Sequence, residues 1–363
     1  MQIPLFKPYI TNQHKKAVAK AMNGSLSRGP ILYDFESAFA DYVGRRYAVA
    51  TSSGTAGLHI ALKCLDLKEK SQVLTTPFSF IATPNVLLYE SLTPTFADIS
   101  LEHENLSTES IIKYRKGSNV QASLLCHMSG NAIPYTPELR KYQSTTIEDA
   151  CQSLFHADES DVGKHGIMQI YGFANNKLLT TAEGGIVTTD DQGLYQQLCS
   201  LRDQGRSTHK DWLNHVQLGY SYRMSELHAA LGLSQLQGLS EIIHKRKKHI
   251  TQYAKMLKNI DGICIPPRLA QRSPFTFQIR LANSRVRQKL FTFLASYNIQ
   301  TRATLPALHL FPEYQKLGYK KGDFPNAEKI CEQTLSLPLF LKKHEIKYIC
   351  QKITDFMGQK ELD

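Results

Sequence analysis

One lysine stands between two apolar runs in the middle of the chain. Residues 170–187 read IYGFANNKLLTTAEGGIV, and Lys177 is the only cation in that span. Threonines, a glutamate and a pair of glycines follow it, so the amine is surrounded by groups that can form hydrogen bonds. A lysine in such a setting can attack a carbonyl or act as a base. On this stretch alone, an ordinary loop lysine between two strands is the alternative.

Small residues follow an earlier apolar run and could bind a phosphate. Residues 47–51 predict a strand, and the sequence SSGTA at residues 52–56 leads from it into a helix. Backbone N–H groups at a helix start suit an anion. The stretch has neither the G-K-[ST] of a Walker loop nor the G-x-G-x-x-G of a dinucleotide site. A plain helix N-cap is the alternative.

Two further side chains stand at, or just past, the ends of predicted strands. Phe80 follows the short strand at residues 73–76, and an aromatic ring there could stack on a planar ligand. Asp149 ends the apolar strand at residues 145–149, where a carboxylate is costly without a cationic partner. The alternatives are a core phenylalanine and an aspartate that caps the next helix.

Together, these features match what pyridoxal 5′-phosphate (PLP) needs from a protein. Its aldehyde needs an amine, its pyridinium nitrogen a carboxylate, its ring an apolar or aromatic face, and its phosphate N–H donors. Lys177, Asp149, Phe80 and the turn at residues 52–56 offer these groups. The residues therefore favour a PLP enzyme.

The sequence also resembles the DegT/StrS-type sugar aminotransferases over nearly its whole length. Members of that family are PLP enzymes of fold type I, in the aspartate aminotransferase superfamily, that aminate nucleotide-linked keto sugars. The resemblance implies PLP as the cofactor, L-glutamate as the amino donor and a homodimer with shared active sites. The stretches that carry it are residues 3–8, 26–30, 53–59, 76–83, 147–152, 177–185, 219–236 and 335–339.

The resemblance gives four side chains a role around the cofactor ring. Lys177 would form the Schiff base and then move the proton during transamination. Asp149 would pair with the pyridinium nitrogen, and Gln152 would bind on the side of the ring hydroxyl. Phe80 would stack on the ring. Relatives that dehydrate a sugar carry histidine at the lysine position, so Lys177 implies transamination.

The resemblance also implies how the cofactor phosphate is held. Gly54, Thr55 and Ala56 would offer backbone groups at the helix start, and Asn176 stands beside the lysine. Ser221 stands in a motif whose central residue, in the family, reaches the phosphate from the partner subunit. The active site would therefore be complete only in a dimer.

Three positions depart from the family pattern. Gly172 stands five residues before the lysine, where the family often has a serine that binds the phosphate. Ser221 replaces the asparagine of Gly-Tyr-Asn-Tyr-Arg, and Ala182 replaces the first glycine of Thr-Thr-Gly-Glu-Gly-Gly. Two interpretations remain open: Ser53 or Asn176 compensates for the lost contacts, or the phosphate is held less tightly.

Substrate contacts follow from the resemblance alone. Arg28, Tyr222 and His309 are the predicted substrate-binding residues, and ordinary surface or core packing is the alternative for each. The identity of these residues names neither a base nor a hexose.

The elements that must position these side chains alternate along the chain. Strand and helix patterns alternate from about residue 45, which predicts an α/β fold with a mostly parallel sheet covered on both faces. Ligands of such sheets bind where strands end. Helical spacing from Ser225 to about Leu257 predicts one long helix that bridges two domains. We predict a large PLP-binding α/β domain at residues 1–240 and a small C-terminal α+β domain at residues 241–363.

Composition narrows the class of protein. The chain has 363 residues, a formal charge of +11 and an ordinary hydrophobic share of 42%. No apolar run predicts a membrane span or a secretory signal. Seven widely spaced cysteines without a C-x-x-C argue against a metal site or a disulfide framework, and they favour the cytoplasm. The basic run at residues 244–249 is predicted to be a solvated helix face.

The leading prediction is a PLP-dependent aminotransferase that carries an amino group from L-glutamate to a nucleotide-activated keto sugar, with no nucleic acid or membrane partner. A non-catalytic regulator or binding protein of the same fold is one alternative, suggested by the two altered phosphate positions. A DNA-binding protein is another, suggested by the positive charge. That charge could equally draw in a small anionic substrate.

Overall fold

A seven-stranded sheet runs through the larger part of the molecule. The structure is a computed structural model, and it describes residues 2–117, 119–134, 136–155, 165–207, 213–339 and 342–359. Its strands are rich in buried apolar residues. They are β1 (Tyr47–Thr51), β2 (Gln72–Thr75), β3 (Thr93–Phe96), β4 (Val120–Cys126), β5 (Thr146–Asp149), β6 (Met168–Gly172) and β7 (Gly185–Thr189). Their order across the sheet is β1-β7-β6-β5-β4-β2-β3.

The direction of the strands sets the place of the site. β3, β2, β4, β5 and β6 pair in parallel, and β7 is antiparallel to both β6 and β1. β1 and β6 therefore point the same way. The prediction of a mostly parallel α/β sheet is confirmed. Because the carboxyl ends of parallel strands meet at one edge, the residues that follow β1, β5 and β6 come together there.

Helices with buried apolar faces pack on this sheet. The aromatic rings of Phe35 and Phe39 lie 5.6 and 5.4 Å from the ring of Phe173, which directly follows β6. The helices are α1 (Asn12–Ala21), α2 (Pro30–Val43), α3 (Gly54–Lys63), α4 (Ala82–Tyr89), α5 (Thr108–Gly117), α6 (Gln192–Arg202), α7 (Glu226–Gln237) and α8 (Leu239–Leu257). Short 3₁₀ turns lie at Met128–Gly130, Leu139–Thr145, Leu269–Gln271 and Leu308–Leu310.

The predicted long helix from Ser225 to Leu257 is two helices. α7 ends at Gln237 and α8 begins at Leu239, and Gly238 between them has a ψ of 8° that breaks the helical path. The apolar spacing continues across the break, so periodicity alone could not reveal it.

A four-stranded antiparallel sheet forms the core of the C-terminal region. Its order is β10-β11-β9-β8. Tyr253 of α8 stacks on Phe277 with 4.9 Å between ring centres, which joins α8 to this sheet. The elements are β8 (Ile263–Cys264), β9 (Phe277–Leu281), α9 (Ser284–Ser296), β10 (Arg302–Ala303), α10 (Pro312–Gln315), α11 (Pro325–Gln333), β11 (Thr334–Leu337) and α12 (Lys343–Met357). Of the helices in the described part of the chain, none is long and apolar enough to cross a bilayer.

Part of the C-terminal region packs on the first sheet instead. The Tyr314 ring lies 5.3 Å from the ring of Phe96 in β3, and the Leu308 amide donates to the Pro77 carbonyl at 2.8 Å. Residues 305–331 thus share a core with the β2–β3 edge. The division of the chain at residue 240 stays a prediction.

Candidate active site

A cavity of about 390 Å³ opens where β1, β5 and β6 end. Its wall also includes parts of the second sheet and of the N-terminal segment. The predicted site residues that line it are Gly54, Thr55, Phe80, Asp149, Gln152, Asn176 and Lys177. The predicted residues that do not line it, in the described chain, are Arg28, Ala56, Ser221, Tyr222 and His309.

The turn after β1 has backbone N–H groups at a helix start that could bind an anion. Ser53 caps α3, and its Oγ accepts a hydrogen bond from the Ala56 amide at 3.0 Å. The Ala56 N–H is therefore used within the cap, while Gly54 and Thr55 face the cavity at the positive end of the helix. A Cβ on Gly185 would lie 2.6 Å from the Gly54 nitrogen, so this glycine lets β7 approach the turn.

Asp149 is almost buried at the end of β5, with 4% of its surface exposed. Its Oδ2 accepts a hydrogen bond from the Thr83 hydroxyl at 2.6 Å, and its Oδ1 accepts one from the Cys151 amide at 3.0 Å. These two donors hold the carboxylate in one orientation at the cavity wall.

Two thiols beside this carboxylate are expected to be unreactive. Burial and then the neighbouring Asp149 carboxylate raise the pKa of the Cys126 and Cys151 thiols well above the ordinary range. Both therefore stay protonated at neutral pH and act as neutral parts of the wall, since the thiolate is the reactive form of cysteine.

Lys177 lies on a loop that backbone hydrogen bonds close at its ends. The Phe173 amide donates to the Gly184 carbonyl at 2.8 Å, and the Thr181 amide donates to the Phe173 carbonyl at 2.9 Å. Within the loop, the Lys177 amide donates to the Ala174 carbonyl at 2.9 Å and forms a tight turn. The lysine is thus fixed between β6 and β7.

Aromatic rings face this part of the cavity. Lys177 Nζ lies 4.7 Å from the centre of the Phe275 ring, a cation–π contact. Phe80 lines the same cavity and is 55% exposed, so its ring offers an uncovered apolar face. A planar ring could stack there.

The structure gives a steric reason for glycine at position 172. A Cβ on Gly172 would lie 3.1 Å from Cys151 Sγ, and a Cβ on Gly54 would lie 3.0 Å from the same sulfur. Cys151 therefore fills the space between the end of β6 and the start of α3. A serine at position 172 would crowd this sulfur.

A chain of polar contacts links Gln152 to the second sheet. Gln152 Oε1 accepts a hydrogen bond from the Ser129 amide at 3.0 Å. The Ser129 hydroxyl donates to Gln278 Oε1 at 3.1 Å, and Gln278 Nε2 donates to Ser336 Oγ at 3.2 Å. The Gln152 carboxamide is held by the first of these contacts, and its role toward a ring hydroxyl stays a prediction.

Two predicted residues, Arg28 and Ser221, lie in a polar group with Asp203 and Arg223, outside the cavity. Arg28 Nη1 lies 3.5 Å from Asp203 Oδ2, and Arg223 Nη1 lies 2.7 Å from Asp203 Oδ1. The Ser221 hydroxyl accepts a hydrogen bond from Arg223 Nη2 at 2.9 Å. We call Arg28, Asp203, Ser221 and Arg223 the Asp203 cluster.

Tyr222 and His309 have polar partners away from the cavity. The Tyr222 hydroxyl lies 3.1 Å from His59 Nδ1. His309 is fully buried, with Nε2 2.9 Å from Glu328 Oε1 and its ring 4.9 Å from the ring of Phe324. The position of His309 does not support a substrate contact, because its buried ring packs against Phe324 and Glu328.

Several lining residues had no separate signal in the sequence. They are Arg246, Phe275, Thr276, Gln278 and Arg302. The basic run at residues 244–249 was expected to be solvated throughout, and this is wrong for Arg246, which is 5% exposed. Its neighbours Lys245 and Lys248 do face outward to varying degrees, so only the apolar stripe of α8 could have marked the buried position.

The cavity fits PLP by the chemistry of its wall. One amine and one buried carboxylate lie in the same cavity, with an anion-binding turn and an uncovered aromatic face. These are the four groups that the aldehyde, pyridinium nitrogen, phosphate and ring of PLP require. Metal ligation has no such support, since no cluster of three potential metal-binding side chains occurs among the described residues.

Comparison with known proteins agrees with this geometry. The sequence model of the DegT/DnrJ/EryC1/StrS aminotransferase family matches residues 8–354. The chain belongs to this family. It is a PLP-dependent aminotransferase, and solved relatives include forms with PLP and with pyridoxamine phosphate. The mostly parallel sheet and its site at the strand ends are those of fold type I.

Relatives of this aminotransferase are named for perosamine, polysaccharide and pseudoaminic acid biosynthesis. It is 29% identical to the GDP-perosamine synthase of Escherichia coli O157:H7, with 99% of each chain covered. It is 31% identical to the spore coat polysaccharide biosynthesis protein SpsC of Bacillus subtilis, over 93% of this chain and 92% of that protein. Its fold matches Helicobacter pylori PseC, an aminotransferase of pseudoaminic acid biosynthesis, with a TM-score of 0.90, 23% identity and coverage of 98% and 99%.

Proposed function

We propose that this aminotransferase moves the amino group of L-glutamate to a keto group of a nucleotide-activated sugar, in the biosynthesis of amino sugars for surface polysaccharides or glycans. The observation that carries the proposal is that Lys177 and Asp149 line one cavity beside the turn at the start of α3. The GDP-perosamine synthase, SpsC and PseC relatives support a sugar as the amino acceptor.

Each residue around the cofactor has a defined task. Bound PLP supplies an electron sink that stabilises negative charge on the carbon next to the reacting nitrogen. Lys177 Nζ would hold the cofactor at its aldehyde and, once free, would hold and return the proton that moves. Asp149 keeps a proton on the pyridine nitrogen through its charge. Gly54 and Thr55 orient the phosphate with backbone N–H groups.

The outer part of the cavity suits an anionic substrate. Arg302 lines it and lies 5.8 Å from the ring centre of Phe6, so a guanidinium and an aromatic ring stand together on the wall. Guanidinium groups recognise phosphates through paired N–H donors. The formal charge of +11 would further attract a nucleotide diphosphate.

We propose a homodimer with shared sites. In this arrangement the Asp203 cluster of one chain, with Ser221 at its edge, reaches the cavity of the other. Support comes from the exposure of Ser221 and of the Arg28 side chain in the single chain, together with the family resemblance. We also propose a cytoplasmic location, which the seven free cysteines support.

The test uses purified protein, PLP, L-glutamate and a panel of UDP-, dTDP- and GDP-linked keto sugars. We expect more than one equivalent of 2-oxoglutarate per site to form only when at least one of the sugars is present and is aminated. L-Alanine in place of glutamate serves as a donor control. Lys177→Ala should lose the visible band of the bound cofactor and lower the rate on the order of 10⁴-fold. Protein that binds PLP and retains glutamate, but releases no 2-oxoglutarate and aminates no sugar, would favour the non-catalytic alternative.

A further inference from the structure

Arg246 is a buried guanidinium on the wall of the active-site cavity. It belongs to α8, is 5% exposed and lines the cavity near Lys177. Burial lowers the pKa of Arg246 to about 10, so its guanidinium still carries a positive charge at neutral pH. Removing a charge from water costs free energy, so a buried guanidinium is expected to have hydrogen-bond partners that offset this cost.

The contacts of Arg246 converge on the reactive lysine. Arg246 Nη2 donates a hydrogen bond to the Lys177 carbonyl at 3.3 Å, and Nη1 donates one to the Phe275 carbonyl at 3.2 Å. The side chains of those two residues also meet, with Lys177 Nζ 4.7 Å from the centre of the Phe275 ring. The planar guanidinium of Arg246 therefore binds the backbones of Lys177 and Phe275, the two residues whose side chains form the cation–π contact.

These contacts join separate parts of the fold. Lys177 stands on the loop between β6 and β7 of the first sheet, whereas Phe275 stands just before β9 of the second sheet. The loop is closed at its ends by the Phe173 and Thr181 amides, and the Thr180 amide donates to Gln235 Oε1 of α7 at 2.9 Å. At Lys177 itself, the carbonyl is held by Arg246.

We propose that Arg246 is a positioning residue, which fixes the Lys177 amine relative to the cofactor by holding the Lys177 and Phe275 backbones on one guanidinium. The proposal rests on the proposed function insofar as Lys177 is the amine that joins the cofactor. It assigns Arg246 no contact with the amino donor or the sugar.

Arginine is suited to this task and lysine is not. A guanidinium presents several N–H donors in a fixed plane, so it can reach two carbonyls at once, whereas an ammonium group is a compact charge on a flexible stem. Arg246→Lys therefore keeps the charge and removes the two-carbonyl bridge. Displacement of a reacting group by about 1 Å can lower a rate about 100-fold.

The test compares holoprotein variants without any sugar present. Arg246→Lys should change the visible circular dichroism of the bound cofactor, which reports its orientation. It should also lower the rate constant of the glutamate half-reaction about 10- to 100-fold, with the glutamate concentration for half-maximal rate changed by less than about threefold. Arg115→Lys is the matched control, because Arg115 also bridges two oxygens, those of Val120 and Thr145, at the other end of the sheet.

A second variant keeps the proposal testable if Arg246→Lys folds poorly. Phe275→Leu preserves the backbone carbonyl that Arg246 binds and removes the ring that faces the amine. It should change the visible circular dichroism in the same sense. In the double variant the two effects on the rate should be less than additive, because both act through the placement of one amine.

The outcomes separate the proposal from the proposed function. Wild-type protein that shows no visible cofactor band would contradict the proposed function. Arg246→Lys with unchanged circular dichroism and rate, and only a lower unfolding temperature, would overturn the positioning role alone. A rise in the glutamate requirement at an unchanged maximal rate would also overturn it, because Arg246 would then bind the donor carboxylate.

Discussion

The groups around Lys177 are buried and find their partners within one chain, whereas part of the Asp203 cluster is exposed on the surface of that chain. Asp149 is 4% exposed and hydrogen-bonded, and Lys177 contacts Phe275 within the same chain. In the cluster, the Arg28 side chain is 44% exposed and Ser221 is exposed. One chain thus assembles the groups for the cofactor ring, while Arg28 and Ser221 of the cluster face outward.

The two regions are nevertheless neighbours in the backbone. The Ser52 amide donates to the Tyr222 carbonyl at 2.7 Å, and Thr51 forms an isolated antiparallel bridge with Arg223. The segment that carries Ser221 therefore rests on the strand end that leads into the phosphate turn. This edge of the sheet therefore carries both an inner site and an outward-facing segment, which is the arrangement that the proposed shared site would use.

The largest expected effect comes from mixing two inactive variants. Lys177→Ala removes the amine, and Ser221→Trp would block the cavity that Ser221 reaches. If Ser221 serves the partner's cavity, a hybrid of these chains has one intact site, made of the lysine from one chain and Ser221 from the other. Random mixing should restore about one quarter of wild-type turnover, since half of the dimers are hybrids and half of their sites are intact.

A matched pair controls this experiment. Lys177→Ala mixed with Asp149→Asn should stay inactive, because both residues line the same cavity of one chain and no hybrid site escapes both changes. If the first mixture also stays inactive although hybrids form, Ser221 acts within its own chain and the shared site is wrong. A monomer in sedimentation at working concentration would exclude the shared site as well.

The inner site was more predictable from sequence than the outer segment. Asp149 ends β5, whereas Lys177 and the turn at residues 52–56 follow β6 and β1, and the sheet brings these strand ends to one edge. Local patterns therefore locate them. Thr83 and Phe275 escaped notice, because their roles depend on contacts with Asp149 and Lys177 that link distant parts of the chain.

Burial explains two further differences between the predictions and the structure. His309 was predicted at a substrate from the family resemblance, yet the packing of residues 305–331 on β3 places it in the core beside Glu328. Arg246 lay in a basic run, yet the packing of α8 turns that one position inward. Neither result follows from residue type, since tertiary packing sets which face of a helix is covered.

Cys151 leaves little room for a side chain at position 172, at the end of β6. Gly172→Ser should lower the free energy of unfolding by about 1–3 kcal/mol, because its Cβ would stand 3.1 Å from Cys151 Sγ. In a Cys151→Ala background the same change should cost at least about 1 kcal/mol less. Urea unfolding of the four apo-proteins measures both values. Additive effects would show that Cys151 is not what excludes a side chain at position 172.

The same four proteins also test whether a hydroxyl at position 172 would contact the cofactor phosphate. With the sulfur removed, the new hydroxyl stands at the end of β6 opposite Gly54, where it can reach an anion at the turn. We expect the double variant to bind PLP more tightly than Cys151→Ala does, by quenching of protein fluorescence. Equal affinities would mean that Gly172 loses no phosphate contact.

The smallest expected effect lies in the lysine loop at Ala182, which has a φ of 70°. This left-handed conformation disfavours residues with a Cβ and suits glycine. Ala182→Gly should therefore raise the free energy of unfolding by about 0.5–1 kcal/mol, after the greater chain entropy of glycine in the unfolded state is subtracted. Ala282→Gly, at an exposed position with negative φ, should instead lower it. If urea unfolding shows the same loss for both variants, the loop carries no strain at Ala182, and the family's glycine there has another cause than backbone conformation.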